Sequence, residues 1–513
     1  MCSHGLLTIS LQAQRHHPQI QEIDTLQKEG DGKGKNSKYL LGIDMGTTSV
    51  KVTVIEEKTR KIVAECSKPT ESYEVQNEIK SEQDVVRIVE ALDHCMDKIP
   101  KKILKQIIGI GICGQQHGLV CWSSENKPWK PKKQTLKIDK HKVSPHYTWQ
   151  DGRCSPTFLR SLPKEDSHLS IHTGYACCTL FWLQRNSPET LQNFNCAGTI
   201  ADFTVSMLCD LDKPSMTPQN ASSWGYFNTY DNTWNVKILQ NASFPVSLLP
   251  TIVQTNTIAG YLKSSWHLIP AGTPVGAALG DLQSTVSAVL HDSSHAMINL
   301  STSAQLVFIE NDFNPNEAQD DHSAAVKIVP YFDNKYLYEA ASLNGGNALN
   351  LLVTNAHQCL KQYGSSIKKD TLWTKLIAAA CEKNAETDLQ TIPAFLGERF
   401  DPNLRANITK ITPSNFNLAS IFRSFCKGII ASFHDILPES SLKRRGICKI
   451  IGTGSALLRN KALQMELESQ YHLPVEYKNT GDAALGAALS ILNTLQPKLL
   501  SQTDELVTEN NLL

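Results

Sequence analysis

The sequence predicts a two-lobed α/β protein, built from a duplicated mixed sheet with flanking helices and a cleft between the lobes. Three observations carry this expectation. The chain has 513 residues, too many for one ordinary core. A strand–turn–strand pattern occurs twice, Ile43-Asp44-Met45-Gly46-Thr47-Thr48 lining up with Ile298-Asn299-Leu300-Ser301-Thr302-Ser303. A glycine-bearing apolar strand follows each copy, with Ile107-Ile108-Gly109-Ile110-Gly111 lining up with Ile450-Ile451-Gly452-Thr453-Gly454. Two repeats in the same order indicate two units on one plan.

Residues 1–37 differ from the rest of the chain. They hold no long apolar run and end in GDGKGKNSK, so they read as a flexible extension, and Glu22, Asp24, Glu29 and Asp31 argue against a transit peptide. From Tyr39 an apolar run, a Gly-Thr-Thr-Ser turn and a β-branched run predict strand, tight turn and strand. KIVAECS supplies a third strand. Val85, Ile88, Val89 and Leu92 fall at i, i+3, i+4 and i+7, which predicts a helix behind a Ser81 cap with Asp84 three residues on. KQIIGIGICGQ is the next buried strand. The first lobe is expected at 38–282, the second at 283–496 and a tail at 497–513. DAALGAALSIL near the end predicts a helix capped by Asp482. Its small residues Ala483, Gly486, Ala487 and Ser490 share a face and permit a close crossing.

Composition excludes several classes. Fifty basic and fifty acidic residues cancel, so nothing favours nucleic acid or another polyanion through bulk charge. No run of eighteen apolar residues could span a bilayer. Fourteen cysteines without a C-x-x-C pair read as free thiols of a reducing, cytoplasmic compartment. Sequons at Asn220, Asn241, Asn299 and Asn407 read as chance matches. The pairs His168/His172 and His291/His295 lack the glutamate and third ligand of a zinc site.

Gly109-x-Gly111-x-x-Gly114 matches the dinucleotide fingerprint, but its first two glycines lie inside the strand and no acidic residue closes a following strand. Gly46-Thr47-Thr48-Ser49 has a better context. A strand delivers Asp44 to its end, and the turn offers backbone N–H groups and hydroxyls suited to phosphate oxygens, with a carboxylate at hand for Mg²⁺. An ordinary hairpin turn reads the same way. The second copy, Ser301-Thr302-Ser303, adds weight, because two facing turns could clamp one polyphosphate.

GIDMGTTSVK resembles the first phosphate motif of the FGGY carbohydrate kinases, within the actin-like (ribonuclease H-like) ATPase superfamily. CGQQHGLVCW, TWQDGR, GDLQ, NLSTSAQL, SLNGGN, IGTGSALLRN and DAALGAA occur after it in that family's order. The resemblance implies ATP and Mg²⁺ as cofactors, with Asp44 near the metal and Gly46, Thr47, Thr48, Ser301, Thr302 and Ser303 on the phosphates. It implies Gly452, Thr453, Gly454 and Ser455 as the adenosine motif, with Gly345 and Gly346 nearby. Asp281 matches the catalytic base. Gln116 and His117 match sugar contacts, joined by Trp149, Asp151, Asp202 and Asn220; Asp151 could equally pair with Arg153. Thr453 interrupts the usual glycine run, and Ser301 replaces a common glycine. WQDGRC, QNASSWGYFNT, NLSTS and LGER look most like the family's sedoheptulose-phosphorylating branch, which feeds the pentose phosphate pathway. Xylulose or ribulose as acceptor, or a non-catalytic actin-fold binder, are the alternatives. The implied partners are a small sugar and ATP, without nucleic acid or membrane, in a monomer or homodimer.

Overall fold

The computed structural model describes residues 37–496, apart from 78, 316–324, 383–386, 399, 402 and 480–481. The expected extension, all but its last residue, and the expected tail lie outside the described residues. Two sheets dominate. The first holds β1 (Tyr39–Met45), β2 (Ser49–Glu56), β3 (Ile62–Pro69), β4 (Ile107–Gly114), β5 (Ile258–Tyr261), β6 (Pro274–Gly276) and β7 (Leu279–Gly280). Its order is β5-β6-β4-β1-β2-β3, with β7 also paired to β4. The second holds β8 (His295–Leu300), β9 (Ala304–Glu310), β10 (Val326–Pro330), β11 (Tyr336–Ser342), β12 (Lys449–Thr453) and β13 (Val475–Tyr477), in the order β10-β11-β9-β8-β12-β13.

The duplication is visible in the ladders. β1 pairs antiparallel with β2 and parallel with β4, as β8 pairs antiparallel with β9 and parallel with β12. The register corrects one alignment drawn from the sequence. Asp44 pairs with Cys113 and Asn299 with Thr453, so Ile110–Gly114, not Ile107–Gly111, is the counterpart of Ile450–Gly454. IIGIG resembles IIGTG letter by letter, but hydrogen-bond register is set by the ladder and not by spelling.

β1 is buried on both faces, as a central strand joined to a parallel neighbour should be. Leu41, Ile43 and Met45 enter one core with Ile88, Val89 and Leu92 of helix α1 (Val85–Lys98). Full burial of each such side chain stabilises by roughly 2 kcal/mol. The cap of α1 is Asp84, whose carboxylate accepts from the Val86 N–H. Ser81 lies instead in a short strand, Ser81–Gln83. The residue immediately ahead of the periodic run wins the cap because only it can reach the second and third N–H groups.

The other face of β1 carries Leu40, Gly42 and Asp44, since alternate residues share a face. Against it lies the closing helix, α2 (Ala483–Leu495), capped by Asp482 as the sequence predicts. A Cβ on Gly42 would stand 1.8 Å from the Ala484 carbonyl, and one on Gly111 1.9 Å from that of Ala487. Gly42, and Gly111 of the would-be dinucleotide fingerprint, thus clear a path for helix backbone. A Cβ on Gly486 of the same helix would stand as close, 1.9 Å, to the Ser284 carbonyl. Ser284 belongs to the helix Asp281–Val289. Val286 and Val289 there share a core with Cys113 of the first sheet and with Met297, Val307 and Ile451 of the second. Every described cysteine is a free thiol. Among the described residues no helix is long and apolar enough to cross a membrane.

Candidate active site

A cavity of about 540 Å³ is lined from both sheets. Thr47 and Ser49 of the β1–β2 turn line it, and so do Ser301, Thr302 and Ser303 of the β8–β9 turn. Both repeats therefore face one space. Gly46 and Thr48 shape the first turn without lining the cavity; the Thr48 carbonyl accepts from Thr70. Thr47 is held on three sides. Its hydroxyl donates to Gln115 (3.2 Å) and accepts from the Trp149 indole (3.0 Å), while its carbonyl accepts from Gln83 (2.7 Å). Trp149 thus braces the first turn as well as lining the cavity.

Three carboxylates converge here. Asp44 ends β1, Asp482 begins the closing helix, and Asp281 begins its own helix, all lining the cavity. Burial, then Asp281 and Asp482, hold the Asp44 carboxyl well above the usual carboxylate range, and Lys51 opposes them. Lys51 sits opposite Asp44 in the ladder and pairs with Asp482 at 2.9 Å. Burial also pushes Asp281 up to about 6; the Leu282 N–H donated to it opposes the rise, and Glu339 reinforces it. A carboxyl in this range can accept a proton near neutral pH.

The same donor set tests whether a divalent cation fits. Crowded carboxylates with a single lysine form a cluster that a cation would relieve. Among the described residues no three potential ligands stand close enough to enclose a metal by themselves. Mg²⁺ itself keeps several waters and takes one or two carboxylates plus substrate phosphates. Asp44, at the end of β1, is the residue that would hold it.

Gln116 and His117, expected from the sequence as acceptor contacts, follow β4 with Gln115 between. Gln116 donates to the Gln219 carbonyl at 2.9 Å. His117 adopts φ +69, a conformation that costs a non-glycine residue of order 1 kcal/mol. Its N–H donates to the Ser223 hydroxyl, its Nδ1 donates to the Ser223 carbonyl at 2.7 Å, and its ring stacks on Tyr175 at 4.6 Å. With Nδ1 protonated, Nε2 of the neutral ring is an acceptor.

Other expected contacts lie elsewhere. Asp151 does not line the cavity. Its carboxylate is fully buried, accepts from Arg153 at 2.6 and 2.9 Å and from the Ser81 N–H, and Arg153 also binds Glu82. Of the two readings the sequence left open, this is the pairing. Asp202 is buried in a capping box with Thr199, which bonds both its N–H and hydroxyl to the carboxylate; burial pushes it up to about 7. Asn220 donates to the Ala278 carbonyl and is likewise buried, while its neighbours Gln219, Ser222 and Ser223 line the cavity. A polar residue in a helical stretch of a sugar-side motif reads as a contact until burial is known.

The glycines expected on the nucleotide side do not line the cavity; Gly345 and Gly346 pack against the second turn from behind. The Gly346 N–H donates to Ser301 and that of Asn347 to Thr302, and a Cβ on Gly346 would meet the Ser301 carbonyl at 2.4 Å. A Cβ on Gly345 would stand 2.8 Å from Ser303. Gly454, at φ +93, leaves no room for a Cβ beside Leu300. Gly452 and Thr453 lie in β12, and Ser455 starts a one-turn helix beyond it. Glu398 of LGER accepts from Ser342 and Leu343 and so anchors the same segment; Arg399 lies outside the described residues. Lys51, Gln115, Tyr175, Gln219, Lys327, Glu339 and Asp482 also line the cavity. For Lys51 the strand alternation opposite Asp44 was an available signal. For Lys327 and Glu339 there was none.

The model of the FGGY family of carbohydrate kinases, N-terminal domain, matches residues 39–288. The chain is 41% identical to the sedoheptulokinase of Mus musculus over 463 residues, covering 88% of this chain and 97% of that protein. It is 40% identical to the sedoheptulokinase of Homo sapiens over 464 residues, with the same coverage. The fold superposes on a xyloylose kinase from Brucella ovis with a TM-score of 0.73 at 18% identity, over 90% of this chain and 91% of that one. With two hydroxyl-rich turns facing one carboxylate-lined cavity, these matches establish that the chain belongs to the FGGY family of carbohydrate kinases.

Proposed function

We infer that the chain transfers the γ-phosphoryl group of ATP to the terminal primary hydroxyl of sedoheptulose, giving sedoheptulose 7-phosphate. The observation that carries this reading is Asp281, a carboxyl pushed up to about 6, lining a cavity between two hydroxyl-rich turns. The mouse and human relatives named sedoheptulokinases supply the acceptor. Thr47 and Ser49 on one side, and Ser301, Thr302 and Ser303 on the other, hold the phosphate oxygens. Asp281 orients the acceptor hydroxyl and takes its proton as the oxygen attacks the γ-phosphorus in line. Asp44 would hold Mg²⁺, which would supply neutralisation of charge on the phosphates. Gln116, His117 and Trp149 form the acceptor wall. Residues 38–282 are read as the acceptor side and 283–496 as the nucleotide side, which close to exclude water and limit hydrolysis of ATP. The enzyme is read as cytoplasmic, a monomer or homodimer.

A coupled ATP-consumption assay across sedoheptulose, xylulose, ribulose, glycerol and gluconate tests the reading. The highest kcat/KM is expected with sedoheptulose. A better response to xylulose would remove the acceptor assignment and leave the kinase.

A further inference from the structure

One cation in the cavity is not used by the phosphate chemistry above. Lys327 lies on β10, the edge strand of the second sheet, and lines the cavity half-buried. The ladder sets it opposite Glu339, which also lines the cavity. A cross-strand lysine and glutamate ordinarily pair. Among the described ion pairs this one does not occur. The Lys327 ammonium instead reaches across to the first lobe and donates to the Tyr175 hydroxyl at 2.7 Å, with Nζ 5.3 Å from the centre of that ring.

Tyr175 is a fixed target. It is buried, precedes the helix Ala176–Asn186 as its cap residue, and stacks parallel on His117 at an interplanar angle of 7°. His117 is in turn locked to Ser223. Lys327 therefore stands at one end of an aromatic wall on the acceptor side.

From this arrangement we propose that Lys327 is a specificity-determining residue that reads acceptor length. An ammonium has three donors, and Tyr175 takes one. The others meet a hydroxyl at the end of the acceptor distal to Asp281. A seven-carbon ketose held by Asp281, Gln116 and His117 carries two more hydroxyl-bearing carbons than a five-carbon ketose held the same way, and in this proposal Lys327 takes one of those added hydroxyls. Donors placed for a hydroxyl discriminate strongly against an acceptor that lacks it, because they are left unsatisfied in a partly desolvated site. The inference rests on the reading of the chain as a ketose kinase and adds the residue that selects among ketoses.

The test is the ratio of kcat/KM for sedoheptulose to that for xylulose in wild type, Lys327→Met, Lys327→Arg and Tyr175→Phe. Lys327→Met is expected to lower this ratio about ten-fold, mainly through the KM for sedoheptulose, as loss of a charged hydrogen bond does. Lys327→Arg keeps a cationic donor and restores most of the ratio. Tyr175→Phe, which frees the ammonium from its anchor, lowers it by less. An unchanged ratio, with both ketoses losing activity equally, would make Lys327 a strut between lobes and overturn the proposal. A wild type inactive on every ketose defeats the kinase reading before any variant is compared, and this inference with it.

Discussion

Replacing Asp281 by asparagine removes a charge and a proton acceptor but keeps the side-chain oxygen that takes the Leu282 N–H at 2.8 Å. Burial raises the carboxyl from its ordinary 3.8 to about 6. The native state therefore holds this proton more tightly than the unfolded chain does. Native stability from this group is greatest below the unfolded value, falls as pH rises between the two values, and is lowest above about pH 6. A shift of about two units corresponds to about 3 kcal/mol, an upper bound because local relaxation and solvent reduce it. Asparagine does not ionise, so Asp281→Asn is expected to be more stable than wild type near pH 7.5, by up to about 3 kcal/mol, and equal to it near pH 4. Turnover moves the other way, with kcat falling by about 10²–10⁴ on loss of the base. In wild type, kcat/KM should fall about ten-fold per pH unit below about pH 6. Thermal unfolding at the two pH values and the coupled assay measure both effects. A variant less stable than wild type near neutral pH would show the carboxylate to be held by favourable contacts instead of strained by burial. Near-wild-type turnover would remove Asp281 as the base.

Asp44→Asn should raise the Mg²⁺ concentration for half-maximal activity by about ten-fold or more, read from a metal titration at fixed ATP; an unchanged titration would take Asp44 out of the metal site. Gly111→Ala forces a Cβ to within 1.9 Å of the Ala487 carbonyl. Because the obstacle is helix backbone, the cost should reach or exceed about 3 kcal/mol, seen as a lowered Tm or loss of soluble protein; wild-type stability would contradict the close crossing.

Much of the cavity lining was legible because a turn suited to phosphate has a local sequence pattern. The two hydroxyl-rich turns each come after a strand that carries Asp44 or Asn299 to its end, and such a turn needs only neighbouring residues to form. Asp281 stood out by its place before the second copy. Asp151 and Asp202 show where local reading stops. Both are acidic residues in sugar-side motifs, and both are spent inside the protein, one on Arg153 and the other on a helix cap. Whether a carboxylate faces solvent, ligand or its own helix depends on burial, which residues distant in sequence decide.

The sequence by itself determined the duplicated sheet, the paired turns and the small-residue face of the closing helix, because alternation, turn chemistry and helical spacing act over a few residues. Only the tertiary structure decided the register that matches Gly114 with Gly454, the glycines cleared for α2, and the gathering of Lys51, Asp482, Tyr175 and Lys327 around one cavity. Those are consequences of ladder pairing and of helices returning from far along the chain. Such contacts exist only once the backbone has closed on itself.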